Sequence, residues 1–109
     1  TFTFESLLEM SPIKRSIVKG TDLIFVRELT GGIYFGKRGK SPKNDYAFDT
    51  CEYKKEEVER IAKIGFELAR KRSKKLCCID KANVLETSRL WRKTVQSMER
   101  NYKDVEVTY

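Results

Sequence analysis

VRELTGGIYFG, residues 26–36, decides how the rest of the chain is read. Its first residue closes an apolar run, Leu23, Ile24, Phe25 and Val26. Such a run without alternation suits a strand buried on both faces, as in a parallel sheet. Arg27 and Glu28 follow at once, the Gly31-Gly32 pair breaks the run, and the aromatic pair Tyr34-Phe35 comes next. IDKANVL, residues 79–85, repeats the plan, with an apolar run ending in Asp80, Lys81 and Asn83. Ligands of open α/β sheets bind outside the carboxyl ends of the strands. Two strand ends that carry charged or amide groups therefore predict one polar site.

Working outward, residues 22–29 read as the first buried strand. Ser11-Pro12 reads as an N-cap with proline at the first helical position, opening a short helix that ends at Gly20. Residues 33–53, with the polar loop KRGKSPKND at their centre, read as a β-hairpin arm with an exposed tip; a hairpin alone is marginal in water and needs a partner surface. Residues 54–72 predict the principal helix, with Val58, Ile61, Ala62, Gly65, Leu68 and Ala69 as one stripe widened by Ile64 and Phe66. Glu56/Arg60, Glu59/Lys63 and Glu67/Lys71 stand at i,i+4 on it, although no Ser, Thr, Asp or Asn caps its start. A second buried strand is expected at 76–80, a helix capped by Thr87 or Ser88 and running to about Tyr102 with Trp91, Val95, Met98 and Tyr102 as its stripe, and an alternating third strand at 105–109. The order strand, arm, helix, strand, helix, strand is that of an α/β layer.

Hydrophobic residues make up 39% of the 109 and charged residues 36%, but 11% aromatic residues keep the chain out of the disordered class. A net charge of +7 permits binding to nucleic acid or an acidic surface without requiring it. The three cysteines, Cys51, Cys77 and Cys78, include no CxxC pair, and no histidine is present. That set is one thiolate short of an all-cysteine zinc site and suits reduced thiols in a cytoplasmic protein, with one of the adjacent pair packed in the core. No apolar run is long enough to span a bilayer, and TFTFESLLEM has no secretory pattern. The missing initiator Met and a final VEVTY that stops inside an expected strand read as an internal fragment, a single partial domain over residues 1–109.

Each candidate residue carries two readings. Arg27 offers a planar fork that fits a carboxylate, or closes a salt bridge at the strand end. Lys81 can act as a base if held near a cation or in a dry site, and Tyr34 can exchange a proton; alternatively, Lys81 is a solvated lysine, Asn83 closes a turn and Tyr34 packs on a partner. Gly31-Gly32 lacks phosphate-loop spacing and is explained by a turn. The basic run ARKRSKK, residues 69–75, is either a solvated helix end or a phosphate-binding patch. Two other functions thus stay open, a small basic nucleic-acid-binding module and a unit that only dimerises.

SPIKRSIVKG, DLIFVRELTGGIYFG, AFDTCEY, EEVERIAKIGFELARKR, IDKANVLETSRLWRKTV and NYKDVEV resemble, in that order, the isocitrate/isopropylmalate β-decarboxylating dehydrogenases, and the resemblance runs from about residue 11 to 109. RELTGGIYFG is closer to the isopropylmalate branch than to the isocitrate and tartrate branches. The resemblance implies part of the second, dimer-forming domain of that fold, with 33–53 as a dimerisation arm. It implies oxidative decarboxylation of 3-isopropylmalate with NAD and magnesium or manganese, in leucine biosynthesis, with no nucleic-acid or membrane partner. Arg27 would bind a substrate carboxylate, and Tyr34 and Lys81 would be the acid/base pair, with the lysine supplied by the other subunit of a homodimer. Asn83 would lie near the nicotinamide. TFTFESLLEM lacks the upstream arginines of that family. Its metal-binding aspartates and glycine-rich adenosine segment are expected beyond Tyr109, so the chain alone is expected to be inactive.

Overall fold

The computed structural model describes residues 1–109. Its best-packed part grows from helix α2, Lys55–Arg70. Apolar side chains at helical spacing place Val58, Ala62, Phe66 and Ala69 on one buried face, while Ile64 stays exposed. No side chain of Lys54 caps the helix; instead the Glu57 carboxylate accepts the Lys54 N–H at 2.8 Å, satisfying one backbone donor. Lys74 adopts φ +58° and bonds back to the Ala69 carbonyl at 3.0 Å, turning the chain out of the helix.

That turn delivers β3, Lys75–Cys77, which pairs in parallel with β4, Glu106–Thr108, in the register Lys75↔Glu106, Leu76↔Val107 and Cys77↔Thr108. Helix α3, Glu86–Met98, continued by a 3₁₀ turn Glu99–Asn101, is the crossover between them, so residues 75–108 form a βαβ unit. The core joins Ala62, Phe66 and Ala69 of α2 to Cys78, Val95, Tyr102 and Val105, with Leu76, Trp91, Met98 and Val107 packed around them. Phe66 is wholly buried and stacks on Tyr102 at 4.4 Å; the Arg70 guanidinium lies 4.4 Å from the same ring. The expected stripe of α3 and the alternation of the last strand are thus realised. Cys78 is buried and Cys77 exposed, as a strand requires of adjacent residues.

The N-terminal half is open. A 3₁₀ turn, Glu5–Met10, and the four-residue helix α1, Arg15–Val18, precede an extended stretch. Ser11 does not cap a helix: its Oγ accepts the Ile13 N–H at 3.1 Å, and α1 starts only at Arg15. The strand expected at 22–29 forms no ladder beyond a bridge between Phe2 and Asp22. Leu23, Ile24, Phe25 and Val26 are 39, 48, 67 and 36% exposed rather than buried on both faces. The reason is geometric. The run lines a cavity of about 670 Å³ together with Leu76, Cys78 and Ile79, and β3 pairs only with β4, so no strand lies against the run.

Residues 33–53 do form a hairpin, with β1, Arg38–Lys40, antiparallel to β2, Ala47–Asp49. A Gly32–Glu52 bridge closes its base. None of its strand residues is buried, and a Cβ on Gly36 would stand 1.7 Å from the Thr50 carbonyl oxygen, so close approach fixes glycine there. The radius of gyration, 17.9 Å, exceeds the roughly 13 Å of a compact domain this size, in keeping with only 13 buried residues. No helix is long and apolar enough to cross a membrane.

The three i,i+4 pairs expected on α2 do not close. Arg60 turns to Glu28, Glu59 takes Lys55 at 3.2 Å, and Glu67 accepts the Tyr102 hydroxyl at 3.2 Å. Thr87 and Ser88 lie inside α3, with Leu85 before its first residue, so neither caps it.

Candidate active site

Successive side chains of an extended segment point to opposite sides. After Val26 this alternation turns Glu28 inward, its side chain 5% exposed, and leaves Arg27 outward. The Glu28 carboxylate accepts the Thr30 N–H at 2.6 Å, the Thr30 hydroxyl, and Arg60 Nη2 of α2 at 3.1 Å. Hydrogen bonds from Thr30, the hydroxyl's first, hold the Glu28 carboxyl below its usual range against the cost of burial. Arg60 Nη2 also donates to Thr30 Oγ1 at 2.8 Å. Beyond this knot Gly32 takes φ +69° and lies against the Tyr53 ring, where a Cβ would stand 2.3 Å from the hydroxyl oxygen. The turn brings Tyr34 back toward Arg27, whose Nη2 donates to the Tyr34 hydroxyl at 3.1 Å. Two of the expected site residues therefore meet.

The second corner follows β3. Asp80 is turned inward, its side chain 2% exposed, and receives Arg92 of α3 through two bonds of 2.8 Å, Nε to Oδ2 and Nη2 to Oδ1. The Ala82 N–H adds a third at 3.0 Å. The Arg92 bonds hold the Asp80 carboxyl below its usual range. Lys81 and Asn83 are exposed, and neither side chain makes a hydrogen bond within the chain. Lys81 and Asn83 stand apart from Arg27 and Tyr34, with no hydrogen bond or ion pair between the two sets. The corners are joined indirectly. Tyr53, beneath Gly32, meets Trp91 of α3 edge-on at 5.1 Å, and a cleft of about 210 Å³ beside them is lined by Cys51, Asp80, Leu85 and Ser88 among others.

Glu28 and Asp80 stand out in the sequence only as strand-end charges. Their roles as buried carboxylates, each caught by an arginine of a helix, depend on Arg60 and Arg92, 32 and 12 residues away. The signal that could have found them is a carboxylate directly beside each candidate, Arg27-Glu28 and Asp80-Lys81. The basic run is largely engaged: Arg70 pairs with Asp104 at 2.8 Å, Arg72 with Asp22 at 2.8 Å, and Lys74 with Asp104 at 3.8 Å. No group of three His, Cys, Asp or Glu side chains converges as a metal cage.

A βαβ unit with polar residues at its strand ends is the layout of an α/β enzyme site, and comparison with known proteins gives it a family. A family model described as isocitrate/isopropylmalate dehydrogenase matches residues 1–109, and the chain belongs to that family. It is 50% identical over 104 residues to a 3-isopropylmalate dehydrogenase of Desulfitobacterium hafniense (strain Y51), covering 95% of this chain and 30% of the relative. It is 53% identical over 110 residues to a 3-isopropylmalate dehydrogenase of Zymomonas mobilis, covering 97% of this chain and 32% of the relative. The chain thus spans about 30% of the length of the curated relatives it matches. Among solved structures, an isocitrate dehydrogenase from Methylococcus capsulatus superposes with a TM-score of 0.67 at 27% identity, over 72% of this chain and 25% of that one. The fold is therefore isocitrate/isopropylmalate dehydrogenase-like.

Proposed function

We propose that this chain supplies part of the active site of a 3-isopropylmalate dehydrogenase, an oxidoreductase that oxidises and decarboxylates its 2-hydroxy-acid substrate. The observation that carries the reading is the meeting of Arg27 and Tyr34, a carboxylate-binding fork hydrogen-bonded to a phenol, in a chain about 50% identical to enzymes of that name. Arg27 would hold a substrate carboxylate, leaving Tyr34 beside the carbon chain. Lys81, its side chain free, would accept the proton of the substrate hydroxyl as the hydride leaves carbon. Loss of the β-carboxylate as CO2 puts an electron pair into an enolate, and Tyr34 would return a proton to its carbon. NAD, when bound, would accept the hydride, and Asn83, which is exposed, would meet its nicotinamide end.

Magnesium or manganese, which polarises the hydroxyl in such enzymes, finds no ligand cage among these residues. The chain by itself would accordingly be inactive. The separation of Tyr34 from Lys81 suits a site completed by a second subunit, with residues 1–109 as part of the dimer-forming domain and 33–53 as the arm. Tyr34, Phe35, Tyr46 and Phe48 are all exposed on that arm and have no core of their own. Free thiols at Cys51, Cys77 and Cys78 suit a reducing cytoplasm. A nucleic-acid role is disfavoured by the ion pairs that occupy Arg70, Arg72 and Lys74.

The test uses the full-length enzyme. Lys81→Ala and Tyr34→Phe should each lower kcat by about 10²–10⁴-fold, whereas Arg27→Ala should chiefly raise KM. Mixing the two inactive proteins, with subunit exchange confirmed, should restore activity, because one site of each heterodimer then carries neither defect. No recovery would falsify the shared site; unchanged kcat in both single variants would remove the proton-transfer roles.

A further inference from the structure

The peptide groups on both sides of Lys81 are hydrogen-bonded within the chain. The Lys81 N–H donates to Ser88 Oγ at 3.1 Å. Its carbonyl accepts the Val84 and Leu85 N–H groups at 3.0 and 2.9 Å. The Ala82 N–H is held by Asp80 Oδ1, and the Ala82 carbonyl accepts Arg89 Nε at 2.9 Å. Asp80 itself is locked to Arg92 through both carboxylate oxygens. Ser88, Arg89 and Arg92 all belong to α3, so one helix grips the loop on both sides of a lysine whose own side chain is left free.

We propose that Asp80, clasped by Arg92, is a positioning residue for Lys81: the bidentate pair fixes the loop to α3 so that the lysine enters the reaction at a set place. The inference rests on the proton-transfer role given to Lys81 above. Displacing a reacting group by about 1 Å costs on the order of 10²-fold in rate. A clasp that sets the backbone on either side of Lys81 therefore acts on the chemical step rather than on substrate capture. The other corner supplies the internal control. Glu28 is an equally buried carboxylate caught by Arg60, but its neighbour is Arg27, the residue read as binding substrate. The two carboxylates should therefore affect different constants.

In the full-length enzyme, Asp80→Asn and Arg92→Lys should lower kcat per folded active site by about 10–100-fold with KM for 3-isopropylmalate changed by no more than about twofold. Glu28→Gln should instead raise KM while kcat stays near the wild-type value. Folded enzyme is counted by tryptophan fluorescence and by light scattering. Should Asp80→Asn not fold, Arg92→Lys carries the test, because Arg92 is partly exposed and lysine keeps its charge while losing the fork. A wild-type kcat in Arg92→Lys or a folded Asp80→Asn, alongside an inactive Lys81→Ala, would overturn the clasp and leave the lysine's role standing. Equal falls in kcat and rises in KM for Asp80→Asn and Glu28→Gln would overturn it too, since the two carboxylates would then act on the site alike and Asp80 would have no separate hold on Lys81. Full activity in Lys81→Ala would instead remove the functional reading on which the clasp rests.

Discussion

At the corner after Val26, exposed Arg27 is followed by buried Glu28; at the corner after Ile79, buried Asp80 is followed by exposed Lys81. Both carboxylates bond a backbone N–H two residues on, and both are caught by an arginine from the next long helix. What differs is the segment leading in. Lys75–Cys77 is paired with Glu106–Thr108 and packed on α2, whereas residues 23–26 have no strand beside them and stand largely exposed. The comparison teaches that a strand-end knot forms whether or not the segment leading into it is paired: Glu28 reaches Arg60, 32 residues on, although residues 23–26 belong to no ladder.

The largest way to break this comparison is to empty each region in turn. Phe66 is fully buried and stacked on Tyr102, so Phe66→Ala in the 109-residue chain should cost about 3–5 kcal/mol in urea unfolding. Phe25, 67% exposed on the unpaired run, should change stability by no more than about 0.5 kcal/mol when replaced by alanine. Similar losses from the two would mean that residues 23–26 are packed in solution after all.

Amide hydrogen exchange measures the same contrast on a smaller scale. The Cys78 N–H is bonded to the Thr108 carbonyl and the Glu106 N–H to the Lys74 carbonyl, each at 2.8 Å. Along the run only Leu23 donates, to the Thr1 carbonyl at 2.8 Å. Amides 24–26 should thus exchange at least about 10²-fold faster than those of Cys78 and Glu106. Protection of 24–26 in the full-length enzyme but not in the chain alone would show that a further segment pairs with them there. Equal protection in the chain alone would contradict the open edge.

Helices were legible because their signal is local. The stripes on α2 and α3 lie within one segment each, and α2 differs from the expected 54–72 by only a few residues at its ends. The same holds for the 33–53 hairpin, whose turn residues announce it. The apolar run at 23–26 was misread as buried because its composition records that a strand suits it, and not whether a neighbour is present. Surface ion pairs failed for a related reason. Spacing placed Glu56 beside Arg60, yet Glu28 offered a buried carboxylate that needed a cation. At the site, Arg27 and Tyr34 were legible singly, but their mutual bond requires the Gly31-Gly32 turn over Tyr53.

The smallest effect expected is on pH dependence, and it separates the regions by sign. Glu28 and Asp80 are held below their ordinary values of 4.5 and 3.8, by Thr30's hydrogen bonds and by Arg92's respectively. A lowered carboxyl adds stability that is present above its ordinary value and is lost as the pH falls through the folded one. The Glu28 corner should therefore weaken below about pH 4.5 and the Asp80 corner below about pH 3.8, with modest amplitude because Arg60 and Arg92 are solvent-exposed enough to be screened. Cys78 lies only in the packed half, and burial raises its thiol from 9.0 to about 11. A raised thiol adds stability that is present below its ordinary value and lost as the pH rises toward the folded one, so the alkaline fall should begin near pH 9. The phenols of Tyr53 and Tyr102, also pushed up by burial, extend that fall to higher pH. Urea midpoints of the 109-residue chain across pH should show Glu28→Gln and Asp80→Asn each flattening the acid side and leaving the alkaline side unchanged. Cys78→Ala should do the reverse. An acid slope that survives both carboxylate changes would mean that other carboxylates, Asp104 with its Arg70 partner foremost, govern the acid response and that the two corners do not share it.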